Sequence, residues 1–246
     1  MISMSNEIEG PQKRIAKKKP QPRKRILFTG ISFEGPHMIS HHPTAELQFD
    51  FSTGILTKPF ALAVASHVAL CDQCSIHLEE LNASRRRIPD QASDSDVSAT
   101  YIADGSPMTH TPCFDAQTIE VIPEPLRPYL SHNIADIPWH RVSGGMEELR
   151  LQVNTPGHRV SLVRLAPGCE FPTHTHAKEE LTVVLSGGYT DGTAHFERGD
   201  LSHLDSSTTH SPVADPEVGC FALGVLSGPI ELTGLMGTLL NPLLRF

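Results

Sequence analysis

Two histidines stand two residues apart in GCEFPTHTHAKEELTVVLSG, residues 168–187. On an extended strand His174 and His176 point to one face, and Glu180, four residues beyond His176, can return to that face after a turn. His210 arrives from GDLSHLDSSTTH, eleven residues after Gly199. Three imidazoles and one carboxylate form a donor set for a single divalent transition metal. Zinc, iron, manganese, nickel and cobalt all accept it. A coordination position left open at such a site would permit catalysis or sensing.

A second constellation lies in SHVALCDQC, residues 66–74. His67 and Cys71 are four apart and Cys71 and Cys74 three apart, so a helix carrying His67 and ending near Cys71 brings all three to one side. That is zinc-ligand spacing, and no thioredoxin-like βαβ pattern surrounds the CxxC to make it a redox pair. His42, twenty-five residues before His67, is the expected fourth ligand, with its neighbour His41 as the alternative. A zinc ion there would compensate for a helical unit of about 45 residues whose own core is too small to be stable.

Different elements must position the two sets. Around the first cluster, short apolar segments near 149–153, 160–165, 181–185, 188–194 and 220–226 alternate with glycine-rich turns, the pattern of an antiparallel sandwich or barrel. Around the second, Thr44 can cap a helix that stops at Gly54, and Thr57 with Pro59 starts another. A third helical pattern runs from Asp72 to the Arg85–Arg87 triplet. Residues 88–118 are rich in Asp, Ser, Thr and Pro and read as a linker. The fold class expected is therefore multi-domain α plus all-β, a small zinc-stabilised helical domain followed by an antiparallel barrel.

Charge is unevenly spread. Of 20 Lys and Arg, eight fall between Lys13 and Arg25, which leaves 12 for residues 38–246 against 25 of the 28 acidic residues. The run KRIAKKKPQPRKR cannot fold by itself, so residues 1–37 are expected to be a basic disordered extension. The acidic body is not expected to bind DNA directly, because phosphate neutralisation supplies most non-specific affinity. Its partner is expected to be protein. No apolar run is long enough to span a bilayer, and no signal sequence is evident, so the expected location is the cytoplasm. Five cysteines at wide gaps suit reduced thiols or metal ligands better than a disulfide framework.

The 168–187 segment, with its glycine, HxH, glutamate and glycine, and the glycine and histidine that follow at 199 and 210, match the two motifs of the cupin superfamily. The second motif departs from the pattern at Asp205, Ser207 and Ala214, positions that concern turn geometry more than ligation. Beyond the barrel, the chain resembles the ChrR-type cupin anti-sigma factors over about 38–85 and 125–246. The residues that carry this likeness are HH followed by H-x3-C-x2-C, the stretch HTHAKEELTVVLSGGYTDGTAHFERGD and HSPVA at 210–214. The resemblance implies that His42, His67, Cys71 and Cys74 hold zinc in an anti-sigma domain spanning 38–87, which clamps an extracytoplasmic-function sigma factor. It also implies that residues 119–246 form a cupin domain whose His174, His176, Glu180 and His210 bind Zn2+ or another divalent transition metal. In such proteins the cupin is needed to respond to singlet oxygen or organic peroxide, after which the sigma factor is released.

The alternative is an enzyme, a metal-dependent cupin dioxygenase or related oxidoreductase. Tyr189 and His203 are its candidate interior groups, each more simply read as a packed or surface residue. Cys220 lies on an apolar strand and is expected to be a buried structural thiol.

Overall fold

The computed structural model describes residues 38–86, 113–192 and 194–233. The basic stretch 1–37, Arg87 and residues 88–112 of the expected linker lie outside them.

The helical unit begins where its capping residue dictates. The Thr44 hydroxyl accepts the Leu47 N–H at 3.2 Å and starts α1 (Ala45–Thr53). Gly54, at φ 73°, ends it in the left-handed conformation, as its position after the last apolar residue predicts. Pro59 sits in the first turn of α2 (Lys58–Val68), where its missing N–H costs nothing. Helix α3 (Asp72–Arg86) follows after a bend of 119°, which sets Cys71 at the corner. A hydrogen bond at 2.8 Å between His77 Nδ1 and Gln48 Oε1 ties α3 to α1.

A short helix α4 (Ala116–Val121), capped by Asp115 at 2.8 Å to the Thr118 N–H, and a 3-10 turn (Glu124–Tyr129) lead into the barrel. Its large sheet places β1 (His140–Arg141), β2 (Met146–Arg150), β3 (Arg159–Leu165), β10 (Cys220–Leu226), β5 (Glu180–Asp191) and β6 (Ala194–Glu197) in that order. Strands β7 (Leu201–Leu204) and β9 (Val213–Ala214) also pair with β5. A second, three-stranded sheet sets β4 (His174–His176) between β11 (Ile230–Leu232) and β8 (Thr209–His210). Every strand pair is antiparallel.

The strand pattern needs one revision. Of the segments 181–185 and 188–194, expected as two strands with a turn at Gly187, residues 181–191 run on within the continuous β5, the turn comes at Gly192, and Ala194 begins β6. Gly187, at φ 66°, pairs with Cys220 just beyond a bulge, where the register against β10 shifts between Phe221 and Ala222. The Gly219 carbonyl lies 2.1 Å from where a Cβ would stand, so the close approach of β10 excludes any other side chain.

Helix α2 is apolar nearly all round because it has two faces to bury. Ala61, Ala63 and Val64 are fully buried, and the helix packs against β5 and β10 of the barrel. One apolar core thus joins Leu47, Phe51 and Phe60 of the helices to Leu162, Leu185 and Leu223 of the sheet.

Candidate metal centres

Strand alternation does in the barrel what the HxH spacing predicts. His174 and His176 are 3% and 2% exposed while Thr175 between them faces the other way, where its hydroxyl donates to the Thr208 carbonyl at 2.9 Å. Register places His174 opposite His210, and their Nε2 atoms are 2.9 Å apart. His176 Nε2 is 2.9 Å from His210 Nε2 and 3.0 Å from Glu180 Oε2.

The donor chemistry of this cluster fits a metal ion. His174 Nδ1 donates to the Pro172 carbonyl at 2.8 Å and His210 Nδ1 donates to Asp191 Oδ2 at 2.7 Å. With protons on both Nδ1 atoms, the two Nε2 atoms present lone pairs to each other, an arrangement that a shared cation relieves. Glu180 Oε2 is buried and makes no well-directed hydrogen bond despite its closeness to His176, whose own Nδ1 is also without a partner. Burial, with His210 close by, brings His174 down to about 4, so the ring is neutral and able to ligate at pH 7. Burial alone would raise the Glu180 carboxyl, but the surrounding imidazoles, His176 first, hold it below the usual range.

A cavity of about 160 Å³ opens beside His174, Glu180 and His210. Its walls are mostly apolar, with Met146, Val163, Leu165, Phe171, Ala222 and Leu226 among them. An apolar cavity of about 150 Å³ is enough to hold benzene. On one wall the buried Glu148 receives Arg159 Nε at 2.9 Å and the Ser161 hydroxyl at 2.5 Å, so that charge is already neutralised.

The second cluster forms at the corner between α2 and α3. His67 is fully buried, with Nε2 3.3 Å from Cys74 Sγ. His42 Nδ1 lies 3.5 Å from Cys71 Sγ and 3.4 Å from Cys74 Sγ. The four ligand atoms all lie within 4.8 Å of one another. Burial and the neighbouring Cys71 push the Cys74 thiol up to about 12, so without a cation that thiol stays protonated, and a metal would replace its proton. Burial likewise brings His67 down to about 4. Of the two candidate fourth ligands, His42 joins the cluster. His41 instead stacks on Phe196 at 4.3 Å and lies 3.3 Å from Asp200.

The interior groups considered for an enzyme play other parts. Tyr189 lines the cavity stacked on Phe196 at 4.9 Å, and burial holds its hydroxyl well above the ordinary value. His203 pairs with Glu179 at 3.2 Å. Cys220 lines the cavity too, its thiol pushed up to about 12 by burial. Tyr189 and Cys220 thus stay protonated near pH 7, and His203 is not among the residues that line the cavity. Four contributors to the centres escaped the sequence reading, namely the Pro172 carbonyl, Asp191, the Gly199 carbonyl and Asp200. Asp200 adjoins the glycine of the second motif, the one sequence cue to its place; Asp191 and the two backbone carbonyls give none.

Fold and clusters together define a two-part metalloprotein class, a helical unit with a His2Cys2 cluster packed on a cupin barrel with a His3Glu cluster. Residues 129–230 match the ChrR cupin-like domain. The chain is 28% identical over 212 residues to the anti-sigma-E factor ChrR of Cereibacter sphaeroides, a match covering 84% of this chain and 99% of that one. It is also similar to the anti-sigma ChrR solved in complex with SigE of Rhodobacter sphaeroides, at 27% identity and a TM-score of 0.62, covering 77% of this chain and 100% of that one. The match to the ChrR cupin-like domain lies within the barrel, and the likeness to ChrR extends over the helical unit as well.

Proposed function

We propose that this chain is an anti-sigma factor, whose helical unit binds and inhibits an extracytoplasmic-function sigma factor and whose barrel senses singlet oxygen or organic peroxide and triggers release. The observation that carries this reading is the likeness to ChrR, which spans all of the chain solved with SigE and so includes the helical unit as well as the barrel. Phe49, Ile55 and Ile76, exposed on that unit, supply apolar surface for such a partner. Among the described residues no single helix is long and apolar enough to cross a membrane, in keeping with action in the cytoplasm, where sigma factors meet polymerase.

Zn2+ suits His42, His67, Cys71 and Cys74, since two thiolates and two imidazoles match its preference for tetrahedral sulfur and nitrogen ligation. Zn2+ or another divalent transition metal suits His174, His176, Glu180 and His210. A bound metal would cross-link α2, α3 and the chain at His42, and at the barrel it would supply a Lewis-acidic centre open to the cavity. The cavity admits a compact molecule with an apolar body. It favours signal detection over turnover because Tyr189 and Cys220, the hydroxyl and thiol on its wall, are held protonated near pH 7.

The test is a reporter driven by the cognate sigma factor. Replacing both Cys71 and Cys74 is expected to give constitutive expression, and replacing both His174 and His176 is expected to keep inhibition and abolish induction by singlet oxygen or peroxide. Full induction in the barrel variant would remove the barrel as sensor. Oxygen consumption by purified protein with a defined substrate would establish the dioxygenase reading instead.

A further inference from the structure

The barrel reaches two ligands of the helical centre through one turn. His67 Nδ1 donates to the Gly199 carbonyl at 2.7 Å, in the turn between β6 and β7. That bond fixes the tautomer and leaves Nε2, the atom beside Cys74 Sγ, as the lone-pair nitrogen. The next residue holds the chain leading to His42. Asp200 Oδ1 accepts the Ser40 N–H at 2.8 Å and the His41 N–H at 2.9 Å, and Oδ2 accepts the Glu197 N–H at 2.9 Å. Leu201 N–H donates to the His41 carbonyl at 2.9 Å.

Residues 38–44 have no helix or strand of their own, so these bonds are what place His42. Gly199, at φ 93°, lies flush under the segment, and a Cβ there would stand 2.4 Å from Ile39 Cδ1. Asp200 is 1% exposed. Burial would raise its carboxyl, but the N–H groups of Glu197, His41 and Ser40 together hold it below the usual range.

We propose that the barrel turn Gly199–Leu201 is a working part of the helical unit's metal centre, with Asp200 the positioning residue for His42 and the Gly199 carbonyl the group that orients His67. The inference rests on the metal reading of that centre and is independent of which partner the helices bind. Metal affinity depends on how much ligand freedom must be lost on binding, and a clamp on residues 40–41 removes that freedom beforehand. The same turn joins β6 and β7, both paired with β5, which carries the barrel ligand Glu180 at one end and Asp191, partner of His210, at the other. A displacement of the barrel strands therefore has a short hydrogen-bonded route to the helical centre.

Cobalt(II) separates the two centres spectroscopically, because thiolate-to-metal charge transfer arises at Cys71 and Cys74 and the barrel cluster contains no sulfur. Cobalt-loaded full-length protein is titrated with EDTA while that band is followed. Asp200→Ala is expected to lower the apparent cobalt affinity of the thiolate site about 10- to 100-fold, with cobalt in the barrel retained as in wild type. Asp200→Asn keeps one acceptor oxygen and is expected to fall between the two. Wild-type affinity in Asp200→Ala, or equal loss from both centres, would overturn the proposal. If Asp200→Ala does not fold, Asp200→Asn decides, and wild-type affinity and band shape with lowered thermal stability would make Asp200 a packing residue only. Absence of the band in wild type would overturn the metal reading beneath it.

Discussion

His210 donates its Nδ1 proton to Asp191 Oδ2 across 2.7 Å, with both side chains largely buried. A carboxylate behind a ligating histidine fixes the ring and raises its basicity, and its loss typically costs 10- to 100-fold in metal affinity. Asp191→Ala is therefore expected to weaken metal retention in the barrel by roughly that factor. The metal at Cys71 and Cys74 should remain. Elemental analysis after dialysis against graded chelator checks both halves of the expectation.

The complementary experiment removes the other centre. A Cys71→Ala, Cys74→Ala variant is expected to lose one metal equivalent per chain and keep the second, because the two clusters share no ligand. Retention of both equivalents would mean that these thiols hold no metal.

Acid should destabilise the metal-free fold within a defined window. His67 and His174 fall from 6.5 to about 4 on folding, chiefly through burial, so between those values the unfolded chain binds the extra protons. Their neutral rings contribute stability fully above pH 6.5, and it is lost as pH falls toward 4, by up to roughly 1.4 kcal/mol per pH unit for each ring. Urea unfolding of metal-stripped protein at pH 7.5 and pH 5 measures the difference. Equal stability at the two would contradict the burial of these rings.

Phe49 and Ile76 are 49% and 58% exposed, and neither faces the clusters. Replacing both with Asp is expected to weaken sigma-factor binding at least about tenfold, the scale of deleting one apolar anchor from an interface. Metal content and melting temperature should stay close to wild type. Undiminished binding in a calorimetric titration would move the interface elsewhere on the chain.

The two candidate ligand clusters were legible in the sequence because local periodicity places their residues. His174 and His176 share a face through strand alternation, and His67, Cys71 and Cys74 converge through a helix and its end. Helix limits at Thr44 and Gly54 followed from capping chemistry. What stayed hidden depends on neighbours distant in sequence. Gly187 looks like a turn residue, and only the approach of the Gly219 carbonyl explains a glycine inside a continuous strand. The Gly199 carbonyl belongs to the backbone, which carries no side-chain signal, and it meets His67 across 132 positions. Helix α2 reads as the core of a small unit, whereas much of what it packs against belongs to the barrel.

That last feature has a consequence for synthesis. The ribosome delivers α2 long before its covering strands, since β10 ends roughly 160 residues after the helix. At about 5–20 residues per second, the apolar surface around Ala61 and Val64 waits on the order of 10–30 s for its partner. During that interval the nascent helix is open to chaperones and proteases. A ribosome-arrested chain that stops before Cys220 should be cut within α2 by a protease that leaves the finished protein intact.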